Sequence, residues 1–457
     1  MASTYISRAA SGSVTSQTTF TFSFWVKKCK TNTTQTIFMH ENASSHTQKF
    51  ELRFHNSDKF HIETYNGAQE YNVISGAVFR DINAWYHFVV RVDTTQATES
   101  DRYRVYVNGQ QISLTEAGNG YPAQNTTFNL GSKIIVYGRY QAATPSDYFD
   151  GCLTHAHYCD GYSYGPDSFG STDSTTGEWK INTSPNVQYG SNGHFILKDG
   201  NSVTDQSGNS NNFTVSAGTL SQTKDNPSNL FATMNNLQKP FASNDYTFQN
   251  ANTRVYGNNN NWLRSYGTIG ANSGKWWYEL YIGTQDASGR IGWDSIDLIN
   301  DGTDNYYSGL TIQSTTGTVR GGINGTAAYA PNAVQLPADG GGNATFSQGD
   351  YLGMGIDLDN NTITVHKNGN ALATNWSSNS YNSSCKTSTY GTFVSASVNW
   401  YSNSGNQNIY DFNFGNGKFG SSAALTGTTY TDSNGQGVFK YQPPTNYLAF
   451  CTKNLNV

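Results

Sequence analysis

One segment, residues 349–369 (GDYLGMGIDLDNNTITVHKNG), constrains the fold more than any other part of the chain. Apolar residues recur at every second position, at Leu352, Met354, Ile356 and Leu358. A period of two predicts a β-strand with one buried face. Turn residues at 359–361 and again at 368–369 predict two tight turns between antiparallel strands. Gly353 and Gly355 leave the opposite face almost bare, which favours close packing of a second layer against it.

The composition fits many short strands better than helices or disorder. The 457 residues are 36% hydrophobic, including 30 Tyr and 24 Phe, and only 13% charged, and 46 Gly together with Asn, Ser and Thr make up much of the remainder. Disordered chains are usually poor in aromatic residues. Frequent Gly and Asn turns between aromatic-rich runs therefore predict an all-β protein with more than one domain.

Charge and hydropathy exclude several partner classes. The net charge is −5, and no run of Lys or Arg is present, so nucleic acid is not an expected partner. No apolar run reaches membrane-spanning length, so membrane insertion is not expected. The N-terminus lacks an apolar signal core, which predicts synthesis in a cytoplasm. The five cysteines are odd in number and irregularly spaced, so unpaired thiols are expected.

The first part of the chain has the same strand period. Phe20, Phe22 and Phe24 alternate with polar residues, and so do Phe88, Val90 and Val92. Residues 102–107 alternate again and end at an Asn-Gly turn. This part is predicted to be an antiparallel β-sandwich. Phe195, Leu197, Phe213 and Val215 mark two further short strands that could extend either sandwich.

Three motifs of the second half resemble the SPRY domain family. They are SGKWWYEL at residues 273–280, the hairpin at 349–369 and DFNFG at 411–415, in the family's order. The resemblance implies a bent antiparallel β-sandwich that binds proteins or other ligands through its loops, without catalysis.

A second resemblance covers residues 15–162. The motifs FTFSFWVKK, WYHFVVRVD, YRVYVNGQQI and FDGCLTHAHYCDG resemble a laminin-G-like, concanavalin A-like jelly roll. His155 occupies a position that is usually acidic in that family, so no ligand or metal residue is carried over. The segment that follows, and the C-terminal CTKNLNV, resemble structural proteins of marine tailed bacteriophages.

The predicted fold class is all-β, with two antiparallel β-sandwich (jelly-roll) modules joined by a Gly/Asn-rich connecting segment. The predicted divisions are a laminin-G-like sandwich at residues 1–160, a connecting segment with short strands at 161–240, a SPRY-like sandwich at 241–425 and a C-terminal tail at 426–457.

Three patterns that could carry catalysis or metal binding favour structural interpretations. GYSYG at 161–165 has the G-x-S-x-G spacing, but no helical pattern follows it, as a nucleophile elbow requires. His155, His157 and Cys159 alternate without an evident fourth metal ligand. No strand carries the paired carboxylates of a glycoside hydrolase. No catalytic residue, metal ligand or cofactor is therefore assigned.

The sequence leaves a calcium-binding site open, but no residue is assigned as a calcium ligand. Asp93, Asp101 and Asp150 lie near predicted strand ends, and carboxylate oxygens suit calcium, but their spacing is not that of an EF-hand.

Aromatic residues beside polar loops are the candidate ligand-binding residues, because rings next to amide and hydroxyl groups suit both sugar faces and protein interfaces. The alternative is that about half of them are core residues. The candidates are Tyr256, Trp262, Arg264, Tyr266, Tyr306, Tyr307, Trp400 and Tyr401.

The predicted function is that of a bacteriophage virion surface protein, a tail fibre, spike or head decoration, that binds host-surface glycan or protein without catalysis. One alternative is a purely structural capsid or tail decoration or adaptor, and a less favoured one is a glycan-degrading hydrolase. The expected partners are other virion proteins and a host receptor. A homo-oligomer is expected, with a trimer favoured, on the virion surface.

Overall fold

The structure is a computed structural model that describes most of the chain, organised as two compact units. The units are Met1–Ser221 with Asn226–Ser228, and Gln222–Asp225 with Asn229–Val457. The described residues are 3–9, 12–41, 48–67, 69–128, 130–140, 144–198, 202–237, 246–257, 262–285, 289–295, 310–314, 317–320, 334–335, 338–360, 362–376, 393–401, 408–420 and 425–455.

The first unit is a β-sandwich, as its alternating pattern predicts. An eight-stranded sheet has the order β10-β6-β5-β4-β3-β11-β1-β16, and a six-stranded sheet has the order β15-β12-β2-β7-β8-β9, while β13 and β14 form a separate hairpin. The strands are β1 (Tyr5–Ala9), β2 (Thr19–Lys28), β3 (Gln35–Glu41), β4 (Lys49–Phe54), β5 (Lys59–Tyr65), β6 (Glu70–Val78), β7 (Tyr86–Asp93), β8 (Tyr103–Val107), β9 (Gln110–Ile112), β10 (Leu114–Ala117), β11 (Ile134–Tyr137), β12 (Gly151–Asp160), β13 (Gly170–Thr172), β14 (Trp179–Ile181), β15 (His194–Ile196) and β16 (Thr214–Ala217).

Aromatic side chains fill the space between the two sheets of the first unit. Phe20, Phe22 and Phe24 on β2 face this core and are at most 1% exposed. Phe22 stacks on Tyr158 with ring centroids 4.8 Å apart, and Phe24 stacks on Phe88 at 5.7 Å. The predicted strand period is thus confirmed, because its apolar positions face the core between the sheets, while Thr21 and Ser23 lie on the opposite face, which the rest of the unit also covers.

The predicted connecting segment belongs largely to the first unit. Strand β15 pairs with β12, and β16 pairs with β1. Phe169 packs with Val89 and Cys159 on the outer side of the six-stranded sheet. The first compact unit therefore extends beyond the boundary predicted at residue 160. The reason is that the apolar residues of this segment cover a face of the six-stranded sheet that would otherwise be exposed.

The second unit is also a pair of antiparallel sheets. The larger sheet has the order β17-β18-β29-β20-β25-β26-β27, with β30 added alongside β20, and the smaller has the order β19-β28-β21-β22-β23-β24. The strands are β17 (Tyr246–Gln249), β18 (Arg254–Gly257), β19 (Trp262–Tyr266), β20 (Lys275–Thr284), β21 (Arg290–Ser295), β22 (Leu310–Gln313), β23 (Thr318–Arg320), β24 (Val334–Gln335), β25 (Tyr351–Asp357), β26 (Thr362–Lys367), β27 (Asn370–Trp376), β28 (Val394–Tyr401), β29 (Asn408–Asn413) and β30 (Leu448–Ala449).

The predicted double turn of residues 349–369 is confirmed. Strand β25 pairs with β26 from Leu352↔Lys367 to Asp357↔Thr362, and β26 continues into β27 through a turn at Asn368 and Gly369. Both turn residues have positive φ, 51° and 87°, which is the geometry that an Asn-Gly turn supplies.

The bare face of β25 receives large rings. The ring of Trp277 lies on Gly353, and the ring of Tyr447 lies on Gly355. Trp277 and Tyr447 form a buried cluster with Phe231, Phe439, Ala449 and Cys451. Because Phe439, Tyr447, Ala449 and Cys451 come from the predicted tail, residues 426–457 are part of the second unit rather than a separate segment.

The helical segments among the described residues are short. They are the 3-10 turns Glu99–Asp101, Leu130–Ser132 and Pro166–Ser168 and the single-turn α-helix Thr452–Leu455. None of the described helices is long and apolar enough to cross a membrane. The all-β fold class predicted from the sequence is confirmed.

Candidate binding surface

Four side chains line up across the outer face of the larger sheet in the second unit. The strand register places Arg254 opposite Asp411, Asp411 opposite Tyr281, and Tyr281 opposite Tyr351. Their sequence neighbours, such as Val255 and Leu280, point into the core, so the four side chains face outward. We call Arg254, Asp411, Tyr281 and Tyr351 the tyrosine row.

The rings of the tyrosine row are held in place yet remain half-buried rather than covered. The centroids of Tyr281 and Tyr351 are 4.7 Å apart, and Phe419 packs edge-on against Tyr351 at 5.2 Å. Tyr441 lies 6.1 Å from Tyr351, and Lys440 Nζ lies 4.9 Å from the centre of the Tyr351 ring. Rings fixed in this way lose little conformational freedom when they bind a ligand.

The polar end of the row is an ion pair. Arg254 Nε and Nη2 donate to the two oxygens of Asp411 at 2.5 Å each. The hydrogen bond to Asp411 raises the pKa of Arg254, so the guanidinium stays charged. Gly420 lies close to the Asp411 carboxylate, so that a Cβ atom added there would overlap it. The pair presents a fixed guanidinium edge beside the rings.

The Tyr351 hydroxyl of the row is neutral at physiological pH. Burial raises the pKa of Tyr351, and the neighbouring tyrosines Tyr281 and Tyr441 raise it further. Burial also raises the pKa of Tyr441. Neutral phenols can donate and accept hydrogen bonds, so the row offers apolar ring faces together with polar rims.

Beneath the row, Glu279 fixes the segment that carries Lys440 and Tyr441. Its carboxylate accepts hydrogen bonds from the backbone N–H groups of Lys440 and Tyr441 at 2.8 Å each and from Asn413 Nδ2 at 3.0 Å. Glu279 is 1% exposed, and burial raises its pKa to about 7 despite these donors. The position of Lys440 and Tyr441 beside Tyr351 therefore depends on one buried carboxylate.

Of the two sequence-predicted candidates whose side chains are described, Tyr256 lies at this surface. It is half-buried on β18, on the same face as Arg254 and opposite Ile409. Tyr266 is 0% exposed, and its side chain is a core residue rather than a ligand contact. Its register partner Ser397 alternates with the core residues Ala396 and Val398, so the Tyr266 ring lies on the other face of the smaller sheet, where it is nevertheless fully covered.

The other candidates lie in strands or beyond the described residues. Trp262 and Arg264 belong to β19, and Trp400 and Tyr401 belong to β28, where Trp262 is the register partner of Tyr401. They are therefore strand residues rather than loop residues, and their side chains lie outside the described part. Tyr306 and Tyr307 also lie outside the described residues.

Sequence reasoning did not select Tyr281, Tyr351, Arg254 or Asp411 as binding residues. A usable signal existed, because Tyr281 and Tyr351 occupy outward positions of two strands with clear alternation. Only the strand pairing, which the sequence does not state, shows that the two rings are neighbours.

The patterns considered for metal or catalysis are engaged in packing. A register shift between Thr154 and His157 breaks the alternation on β12, and His155 has φ 49°. The His157 ring stacks on Phe195 at 3.9 Å, and Cys159 is buried. No group of three His, Cys, Asp or Glu residues in the described part of the chain is arranged to hold a metal ion.

The remaining acidic and nucleophilic candidates also have protein partners. Asp101 pairs with Arg104 at 2.7 Å, and Asp150 pairs with Lys30 at 3.0 Å. Asp93 accepts a hydrogen bond from Thr95 Oγ1 at 2.6 Å. Ser163 accepts a hydrogen bond from Arg91, and a 3-10 turn rather than an α-helix follows it.

Comparison with known proteins supports the fold of the first unit. Residues 2–160, about a third of the chain, match the family model described as the Concanavalin A-like lectin/glucanases superfamily. The laminin-G-like, concanavalin A-like jelly roll expected there is thereby confirmed. No curated protein matches the chain.

Solved structures resemble parts of the chain at low identity. The SPRY domain of human HERC1 is 15% identical, with 36% of this chain and 91% of that one covered and a TM-score of 0.25. Domains LG4-5 of the mouse laminin alpha1 chain are 10% identical, with 96% and 92% covered and a TM-score of 0.31. The Ruminococcus gnavus IT-sialidase CBM40 bound to alpha2,3 sialyllactose is 17% identical, with 30% and 73% covered and a TM-score of 0.24. For residues 2–160, the family match identifies the fold as a concanavalin A-like jelly roll.

Proposed function

We propose that this chain is a non-catalytic binding protein on the surface of a tailed-bacteriophage virion, and that its tyrosine row contacts a host-surface glycan or protein. The observation that carries the binding role is the pair of fixed, half-buried rings beside a fixed guanidinium. The virion placement rests on the sequence resemblance of the connecting segment and of CTKNLNV to phage structural proteins.

The chemistry of the row favours binding over hydrolysis. Glycoside hydrolysis needs two carboxyl groups that are available to the substrate. Both oxygens of Asp411 are occupied by Arg254, and both oxygens of Glu279 accept hydrogen bonds from Lys440, Tyr441 and Asn413. Aromatic faces bordered by hydroxyl groups suit the apolar faces of sugars and the anchor residues of protein partners.

An adsorption competition tests the proposal. Purified protein is added to cells of the host strain before challenge with the phage, and adsorbed phage are counted. We expect dose-dependent inhibition by the unaltered protein. The double variant Tyr281→Ala, Tyr351→Ala should need at least about tenfold more protein, because buried aromatic anchors each contribute more than about 1 kcal/mol.

The matched control is Tyr65→Ala, which removes a half-buried tyrosine from β5 of the first unit. It should inhibit like the unaltered protein, and unfolding curves should show that all variants are folded. If the unaltered protein binds no cells as an assembled oligomer, the receptor-binding proposal fails and a structural decoration becomes the better description. If the double variant inhibits as well as the control, the tyrosine row is not the contact surface.

The assembly is proposed to be a homo-oligomer, with a trimer favoured, bound to other virion proteins. Sedimentation velocity of the purified chain measures this directly. A monomer at micromolar concentration would contradict self-association of the isolated chain.

A further inference from the structure

Three basic side chains meet at one end of the first sandwich. Arg8 on β1 is the register partner of Ile135 on β11, and Ile135 is the register partner of His40 on β3. Ile135 belongs to the core, so Arg8 and His40 face the interior on either side of it. Lys133 directly precedes β11 and lies close enough to His40 for its charge to affect the imidazole.

These three side chains are buried without matching acceptors. Arg8 is 9% exposed, His40 1% and Lys133 7%. Neither ring nitrogen of His40 has a hydrogen-bond partner of good geometry within the described part, although the Leu130 backbone lies near enough to act on the imidazole, and Arg8 Nε also lacks such a partner. Burial together with the charges of Arg8 and Lys133 lowers the pKa of His40 to about 3, and the Leu130 backbone only partly opposes this. Unpaired buried donors are costly unless a ligand satisfies them.

Arg8 is held in position by groups that leave its Nε available. Its Nη1 donates to the Ala9 carbonyl at 3.0 Å. Its Nη2 donates to the Asn192 carbonyl at 2.5 Å and to Asn192 Oδ1 at 2.8 Å. All of these acceptors are neutral, and the carboxylates of Asp205 and Asp160 act on the Arg8 charge without a hydrogen bond to it.

The carboxylates nearest to Arg8 are occupied elsewhere. Asp160 accepts hydrogen bonds from the backbone of Thr15 and Asn192, and Asp205 accepts hydrogen bonds from the backbone of Phe195 and Asn211. Neither Arg8 nor Lys133 forms an ion pair with a described residue. The adjoining sequence segments 10–11, 42–47 and 129 contain no Asp or Glu. Among the described residues, no carboxylate therefore hydrogen-bonds to Arg8, His40 or Lys133.

We propose that Arg8, His40 and Lys133 form a binding site for a small tetrahedral oxyanion, phosphate or sulfate. Such an anion accepts hydrogen bonds from several donors at once, and Arg8, His40 and Lys133 supply buried donors on three adjacent chain segments of the same sheet. The low exposure of all three side chains restricts the ligand to a small ion. The site lies in the first unit and is independent of the tyrosine row.

Isothermal titration calorimetry of the full chain tests the site. Inorganic phosphate and inorganic sulfate are titrated separately at constant ionic strength, with acetate as a planar anion for comparison. We expect a dissociation constant on the order of 1 mM or below for at least one tetrahedral ion, and weaker binding of acetate. Lys133→Gln should weaken binding at least about tenfold, and Lys133→Arg should largely restore it.

Lys59→Gln is the control, because it removes one positive charge from β5 in the same unit and away from the cluster. It should bind as the unaltered chain does. If Lys133→Gln fails to fold, His40→Phe provides the same test, since it removes the imidazole donor without removing a charge. The proposal is overturned if neither tetrahedral ion binds, or if Lys133→Gln, or His40→Phe in its place, binds as tightly as the control.

Discussion

Gly353→Ala is expected to destabilise the second unit by about 3 kcal/mol, because the added methyl group has no space. A Cβ atom at this position would overlap the Trp277 ring. Trp277 is 0% exposed, and its ring is confined by His366 at 5.1 Å and by Tyr447 at 6.1 Å. The indole can move away from β25 only by displacing these neighbours, which belong to a closely packed layer.

Hydrogen–deuterium exchange resolved by peptide measures this effect within the full chain. Amides of β20 and β25 that exchange by global opening of the unit should exchange roughly 100-fold faster in Gly353→Ala. Gly340→Ala is the control, because a Cβ atom there meets nothing within 4 Å. Adding Trp277→Phe should reduce the cost of Gly353→Ala, as coupled neighbours do. Equal amide protection in Gly353→Ala and Gly340→Ala would contradict the prediction, because it would show that the residues around Trp277 move to accommodate the added methyl group.

This packing illustrates how far sequence reasoning reaches. Alternation along residues 349–369 predicts the strand, its buried face and the bare face at Gly353 and Gly355, because each follows from local periodicity. The residues that cover the bare face, Trp277 and Tyr447, come from distant parts of the chain. No local pattern encodes such pairing, so the identity of the covering layer required the structure.

The same limit explains the differences in domain boundaries. Short strands such as His194–Ile196 and Leu448–Ala449 are too brief to show a period, and their sheet is decided by long-range pairing. The sequence therefore shows apolar residues in the connecting segment and the tail but not which sandwich they join.

The sequence predicted the type of residue that forms the candidate surface but not which residues form it. Aromatic residues beside polar groups were expected to form it, and Tyr256 does lie there, half-buried on β18. Tyr266 has similar sequence surroundings but is buried. The inward or outward direction of a ring depends on strand register, and a shift of one residue reverses it.

Protection of the segment beside the tyrosine row is expected to fall as the pH rises from 5 to 8. Burial raises the pKa of Glu279 from an ordinary value of 4.5 to about 7. Between these two values the folded state binds more protons than the unfolded state, so stability decreases with increasing pH. The contribution is greatest below pH 4.5 and is lost as the pH rises through 7, with a total change of about 3 kcal/mol.

The amides of Lys440 and Tyr441 report this change directly, because both donate to Glu279. Their protection factors, corrected for the intrinsic pH dependence of exchange, should fall by up to roughly 100-fold over this range. Glu279→Gln should be less protected at every pH, because an amide N–H₂ group replaces one acceptor oxygen, and it should show a flat profile.

Glu51→Gln is the matched control for this pH dependence. Glu51 is a buried glutamate of the first unit, on β4, and burial raises its pKa to about 7 as well. Its substitution should flatten the pH profile of β4 amides and leave the slope at Lys440 and Tyr441 unchanged. A slope at those two amides that persists in Glu279→Gln would assign the pH dependence to another group. Loss of the slope in Glu279→Gln alone would identify Glu279 as the carboxylate that couples pH to the position of Lys440 and Tyr441 beside Tyr351.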